Sequence, residues 1–187
     1  MQMQGGLSRR RWGVVLAGGE GVRLRSLTRL VSGDNRPKQF CPLLGGRTLL
    51  AQTRIRIQRS LAPERTLFVL LKSHERFYRK ELRGVAPARM VVQPNNRGTL
   101  PAILSSLLRI IRRDRNALVA FFPSDHHFAN DEAFVEHIDF AFAHAKSHPE
   151  RVILLGVEPE AAPLARGARV CSQTEWHREA DPAVIET

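Results

Sequence analysis

Residues 12–23 read WGVVLAGGEGVR. An apolar run from Trp12 through Leu16 and Ala17 ends in Gly18, Gly19 and Gly21, with Arg23 just beyond. A short apolar run without polar alternation is what a strand covered on both faces requires. Glycines placed after such a strand leave backbone N–H groups open to close approach by a ligand. A helical start after the loop would add the partial positive charge of its N-terminus. The stretch therefore predicts a buried strand that ends in an anion-binding turn. It is not the dinucleotide fingerprint, because Leu24 stands where the third glycine belongs, and no Gly-Lys-Ser/Thr follows as in a Walker A loop. A glycine-rich turn with no ligand is the plain alternative.

The same strand-like pattern returns along the chain. Residues 66–71, 89–93, 117–122 and 152–157 are short apolar runs and read as further strands. Amphipathic stretches lie between them. Residues 48–61 place Leu49, Leu50, Thr53, Ile57 and Leu61 on a helical period, and residues 74–82 form a shorter segment. Residues 99–111 carry Ile103, Leu104, Leu107, Leu108 and Ile111, and residues 134–145 carry Phe134, Ile138, Ala141, Phe142 and Ala145. Strands alternating with helices predict an α/β, Rossmann-like fold with a mainly parallel sheet and helices on both faces. Ligands of such sheets bind beyond the carboxyl ends of the strands, so the loops that follow strands carry the function.

Three more loop positions bear chemistry. Lys38, directly after Pro37 in RPKQF, offers a compact positive charge, while Arg23 offers a planar fork for phosphate oxygens. Asp125 follows the apolar run 117–122 and suits magnesium, which takes one or two protein oxygens and completes its shell with water and phosphate. The alternative for Asp125 is a cap on the next helix or turn. His126 and His127 lack further ligands at zinc spacing and read as local hydrogen-bonding residues. The loop QPNNRGT (93–99) has amides and a hydroxyl, at Gln93 and Thr99, that can read a base edge, and Gly98 permits close backbone approach. Alone it reads as a turn with Thr99 as a helix cap and Pro101 in the first turn.

The chain of 187 residues is long enough for one domain with a real core, and its hydrophobic content of 43% is ordinary. No apolar run is long enough to span a bilayer. Residues 1–11 hold basic residues without an apolar segment after them and read as a flexible leader rather than a secretory signal. Cys41 and Cys171 show no paired spacing, which suits a reduced, cytoplasmic setting. The net charge of +11 raises nucleic-acid binding as a reading, yet the arginines are scattered and no nucleic-acid motif accompanies them. A solvated helical surface and a polyanionic small substrate account for the charge better.

LAGGEGVRLRSLT, RPKQF, QPNNRGTLPAI and FPSDH, in this order, resemble the sugar-phosphate nucleotidyltransferases, and among them the mannose-1-phosphate guanylyltransferases. The resemblance runs from about Trp12 to Pro159. It implies the nucleotide-diphospho-sugar transferase fold and the conversion of NTP and sugar 1-phosphate to NDP-sugar and pyrophosphate, with GTP, mannose 1-phosphate and Mg²⁺ as the expected partners. It implies that Leu16, Ala17, Gly18, Gly19 and Gly21 surround the nucleotide and that Gln93, Gly98 and Thr99 read the base. By the same likeness Arg23 holds the triphosphate, Lys38 neutralises charge at the reacting phosphate and Asp125 binds magnesium.

Ser26 stands where family members often carry proline, and Gly98 where they often carry asparagine. After Gly156-Val157-Glu158-Pro159 the family's continuation toward the sugar has no counterpart here. The expected organisation is therefore a leader at 1–11, a nucleotidyltransferase part at 12–162 and a divergent tail at 163–187, as a truncated or frame-shifted gene would give. The surface bared at that point would be paired with another chain, as in a homo-oligomer, or would cost stability. Two other readings stay open: a nucleotide-binding module of the same fold without catalysis, and a basic nucleic-acid-binding protein.

Overall fold

The computed structural model describes residues 10–43 and 45–156. Its elements are β1 (Arg11–Leu16), α1 (Arg25–Ser32), α2 (Leu49–Ile57), β2 (Thr66–Leu71), α3 (Glu75–Glu81), β3 (Met90–Gln93), α4 (Thr99–Ile111), β4 (Leu118–Pro123) and α5 (Asp131–Ser147). Short 3-10 turns precede several of them, among them Val22–Leu24 before α1 and Lys38–Phe40 after it. These residues divide after His127 into two compact units. The first holds the sheet and the second holds α5.

The four strands form one parallel sheet in the order β3-β2-β1-β4. β1 is central: Val14 lies opposite Leu67 on one side and Phe121 on the other. The sequence order thus turns around between β1 and β4. At such a reversal the connections leave toward opposite faces, and a crevice opens beyond the strand ends. The apolar runs at 12–17, 66–71, 89–93 and 117–122 are strands as expected. β1 begins at Arg11, and Leu118 N donates to Arg10 O at 2.8 Å, so the sheet takes in the last residues of the expected leader.

One face of the sheet buries Trp12, Val14, Leu67, Val69 and Val91 against Ala102 and Ile110 of α4. On the other face Gly13 is buried, and a Cβ added there would lie 2.7 Å from Leu61 Cδ1 and 3.3 Å from Phe122. A side chain at residue 13 would have to push the buried Leu61 and Phe122 side chains aside. α2 begins at the N-cap Thr48, whose hydroxyl accepts from Ala51 N at 3.1 Å. It buries Leu49, Leu50, Thr53 and Ile57, the expected stripe. In the second unit, α5 starts at Asn130, whose side chain accepts from Glu132 N and Ala133 N. Phe134, Ile138 and Phe142 are its buried row.

Three expectations need correction. α4 spans the expected residues but turns Ala102, Ser106 and Ile110 inward and leaves Leu104, Leu108 and Ile111 exposed. Small side chains let the helix lie close on the sheet, and Ser106 satisfies its buried hydroxyl on Ala102 O at 2.8 Å. Thr99 does not cap this helix. The N-cap is Gly98, at φ 84°, and the turn before it is closed by Asn96 Oδ1 accepting from Gly98 N at 3.0 Å. The run at 152–157 forms no strand over its described part, where Val152 and Leu154 are exposed. An apolar run becomes a strand only when a neighbour takes its N–H and C=O groups. The expected tail at 163–187 lies outside the described residues.

Candidate active site

The ends of β1 and β4 meet at the crevice, and the expected site residues gather there in part. The chain leaves β1 at Leu16 and runs through Ala17 and the glycines. Ala17 is still tied to the sheet, since its N–H donates to Val69 O at 2.9 Å. Gly21 then takes φ 61°, a left-handed conformation that favours glycine, and the position of a missing Cβ lies 3.0 Å from Lys38 N and 3.4 Å from Pro37 Cα. The glycine loop is therefore pressed directly against the PKQF turn, and any side chain at residue 21 would force the two apart.

Gln39 binds them together. It is buried, and its Nε2 donates to Ala17 O at 3.0 Å and to Gly19 O at 2.8 Å. In a planar trans peptide the N–H of the next residue points opposite to the carbonyl. Drawing these two carbonyls onto Gln39 therefore turns the N–H groups of Gly18 and Glu20 outward from it. That orientation is what an anion at the loop would need. From the β4 side the buried Ser124 Oγ donates to Leu16 O at 2.8 Å, fixing the other edge of the same loop.

Arg36 shapes the turn before Lys38. Its Nε and Nη2 donate to the two carboxylate oxygens of Asp34 at 2.8 and 3.1 Å, and its Nη1 donates to Phe40 O at 3.3 Å. The hydrogen bonds from Arg36 hold the Asp34 carboxyl below its ordinary pKa. Lys38 then leads into the crevice, where its Nζ lies 2.6 Å from Asp125 Oδ2. Both side chains are partly open to solvent. Asp125 also has His126 Nε2 at 3.9 Å from its other oxygen. It does not cap α5, whose cap is Asn130.

Gln93, at the end of β3, reaches the same loop: its Oε1 is 3.8 Å from the Cβ position of Gly18. Leu16, Ala17, Gly18, Gly19, Gly21, Lys38, Gln93 and Asp125 thus form one rim of the sheet. Arg23 is exposed in the Val22–Leu24 turn, and Gly98 with Thr99 is exposed at the start of α4. Gln39, Ser124 and Arg36 carry structural duties that the sequence reading did not assign. The signal for Gln39 and Ser124 was in view: an uncharged polar residue inside a short motif of otherwise chemical or apolar residues, with no solvent role of its own.

Next to this rim sits His74, buried after β2, with its ring edge-on to Phe40 at 5.8 Å. Its Nδ1 has no hydrogen-bond partner among the described residues. Burial lowers its pKa below that of a free histidine, and the nearby charge of Glu20 opposes the shift while Arg25 adds to it. Among the described residues no three His, Cys, Asp or Glu side chains converge as a metal cage, and no helix is long and apolar enough to cross a membrane.

Residues 12–165 match the Nucleotidyl transferase family model. The chain is 30% identical over 156 residues to xanthan biosynthesis protein XanB of Xanthomonas campestris pv. campestris, covering 82% of this chain and 32% of that protein. It is 30% identical over 158 residues to mannose-1-phosphate guanylyltransferase 2 of Escherichia coli O157:H7, covering 82% of this chain and 31% of that one. Its fold is similar to the crystal structure of mannose-1-phosphate geranyltransferase from Thermus thermophilus, with a TM-score of 0.63 and 32% identity over 73% of this chain and 38% of the other. The chain spans about a third of the length of the curated relatives it matches. With its parallel sheet and the family match over most of its length, the chain belongs to the nucleotidyl transferase family.

Proposed function

We propose that this chain provides the nucleotide-binding half of a sugar-phosphate nucleotidyltransferase that makes GDP-mannose and pyrophosphate from GTP and mannose 1-phosphate. The observation that carries this reading is the Lys38–Asp125 pair, 2.6 Å apart, beside a glycine loop at the β1/β4 reversal. A cation and a carboxylate in one crevice meet the two needs of a magnesium–triphosphate ligand. The carboxylate would hold the metal, and the lysine would face the phosphates. One protein carboxylate completed by phosphate oxygens is an ordinary donor set for Mg²⁺, so Asp125 fits the group. The metal, when bound, supplies charge neutralisation on the phosphates.

The residues have separate tasks in this reading. The N–H groups turned outward by Gln39 would cradle phosphate, and Arg23 would swing in to hold the triphosphate. Gln93, Gly98 and Thr99 would line the base. A phosphate oxygen of the sugar 1-phosphate attacks the α-phosphorus. The bond from that phosphorus to the bridging oxygen of the β-phosphate breaks, and pyrophosphate leaves with the electron pair. Lys38 would stabilise the charge that builds on the α-phosphoryl oxygens. No covalent enzyme intermediate is needed, and trapping a nucleotidylated chain with labelled GTP would contradict this step.

The test is paired. Lys38→Ala should lower turnover by about 10²-fold or more while changing GTP affinity by less than about tenfold. Asp125→Ala should weaken magnesium-dependent GTP binding. Unchanged binding and turnover in both variants would place the site elsewhere. The rival reading is a nucleotide-binding module of the same fold without turnover. Saturable GTP binding by calorimetry without GDP-mannose formation would select it.

A further inference from the structure

The opposite rim of the sheet carries a second concavity. It is lined by Arg54 near the end of α2, Phe68 of β2, Arg83 and Gly84 after α3, and Arg89 at the entry to β3. These residues stand at or near the N-terminal ends of β2 and β3, away from the rim that holds Lys38 and Asp125. We propose that this pocket binds a single phosphate group, as a free ion or as a monoester, at a site separate from the nucleotide crevice.

Three observations carry the assignment. The lining holds three arginines and no carboxylate. The volume is about 130 Å³, well below the roughly 300 Å³ at which pockets for whole organic ligands begin. A small oxyanion fits that scale and a nucleotide does not. The arginines are also pre-set. Arg54 Nη1 donates to Glu81 O, and Arg89 Nη1 donates to Pro63 O. The Arg54 guanidinium lies 5.8 Å above the Phe68 ring. Each anchored guanidinium keeps further N–H donors of its five for a ligand.

The electrostatics agree. Arg54 is held below its ordinary pKa mainly by burial, and the charge of Arg89 adds to the shift while Glu81 opposes it. A partly buried Arg54 guanidinium within electrostatic range of Arg89, with no carboxylate lining the same pocket, favours an anion between them. A planar guanidinium fork matches the oxygens of a phosphate in a bidentate manner. Arg83 is exposed and enters no hydrogen bond or ion pair through its side chain among the described residues, so it is available to close over the ligand.

The experiment titrates the 187-residue chain with inorganic phosphate at constant ionic strength, read by calorimetry and by the unfolding midpoint. Mannose 1-phosphate is a parallel arm that separates a monoester from the free ion. Lys38→Ala, which alters the other rim, should leave one saturable phosphate site. Arg83→Gln and Arg89→Gln should each weaken that site by roughly tenfold or more, the expected loss of a charged hydrogen bond. Arg83 is exposed, so its substitution tests binding without risk to the core. The proposal fails if the parent shows no saturable phosphate binding at millimolar concentration. It also fails if Lys38→Ala removes the site while Arg83→Gln leaves it intact.

Discussion

β2 and β4 flank the same strand, and they are covered very differently. β2 is buried at all six residues. β4 is half-buried along its first four and fully buried only at Phe122. Hydrogen bonding does not explain the contrast. β4 is in register with β1 over Arg11 to Leu16, a longer stretch than the Gly13 to Leu16 register of β2. The difference is position. Among the described residues β2 has a strand on each side whereas β4 is an edge, and α4 packs its Ala102 and Ile110 against a cluster centred on β1 and β2. A parallel ladder thus fixes where Asp125 and Ser124 emerge without burying the strand that delivers them. The crevice is built from one strand set in the core and one strand set at its margin.

The sharpest test compares the same residue type on the two strands. Phe68→Ala removes a fully buried ring from β2 and should cost about 3–5 kcal/mol. Phe121→Ala removes a half-buried ring that only borders the core cluster, and should cost roughly half as much or less. Chemical denaturation of both variants reads the difference directly. Equal losses would mean that β4 is as deeply embedded as β2, and the contrast drawn from burial would be wrong.

The next test concerns how each side holds the loop after β1. Gln39 donates two hydrogen bonds to it, to Ala17 O and Gly19 O, and Ser124 on the β4 side donates one, to Leu16 O. Gln39→Leu keeps the volume but leaves two carbonyls without their donor, at about 1–3 kcal/mol. Ser124→Ala should cost about 1 kcal/mol. On the proposed nucleotide-binding reading, GTP affinity should fall more in Gln39→Leu than its stability loss accounts for, because the loop's N–H groups lose their orientation. Calorimetry on both variants under conditions where each is folded checks this. A Gln39→Leu chain that is destabilised yet binds GTP as the parent does would reduce Gln39 to a packing residue.

The sequence made some of this legible and hid the rest for identifiable reasons. The four strands were readable because parallel strands packed under helices are short, continuous apolar runs, and residues 66–71, buried throughout, could be little else. α2 was readable because its buried row repeats at helical spacing from a threonine cap. The register of α4 was not, since a scan that follows large apolar side chains selects Leu104 and Leu108. Close packing on a sheet instead selects Ala102 and Ser106. The glycine loop, Lys38 and Asp125 were legible as chemistry and, through the resemblance, as one site, but the direct Lys38–Asp125 pair was not, because it depends on β4 pairing beside β1. Gln39 and Ser124 were hidden in the same way. Their partners lie 22 and 108 positions away in the chain, and nothing local says that a buried carbonyl awaits them. The run at 152–157 misled because apolar content is necessary for a strand and not sufficient.

The smallest expected effect is a pH dependence that belongs to the well-covered side. His74 follows β2, is buried against Phe40, and has an Nδ1 without a hydrogen-bond partner among the described residues. Its pKa in the folded chain is lowered, first by burial and then by Arg25, with Glu20 in opposition. The neutral ring is therefore favoured in the folded state. Above about pH 6.5, the ordinary histidine value, both folded and unfolded chains carry it neutral and it adds no pH dependence. As pH falls below that value the unfolded chain takes up the proton first, so stability declines until the folded-state pKa is passed. His74→Phe keeps an aromatic ring beside Phe40 and removes the titration. Unfolding midpoints measured from about pH 7.5 down to about pH 5 should fall less steeply in this variant than in the parent. Parallel slopes would show that the acid sensitivity of the fold arises elsewhere, and that the buried side of the crevice tolerates a charge that its packing argues against.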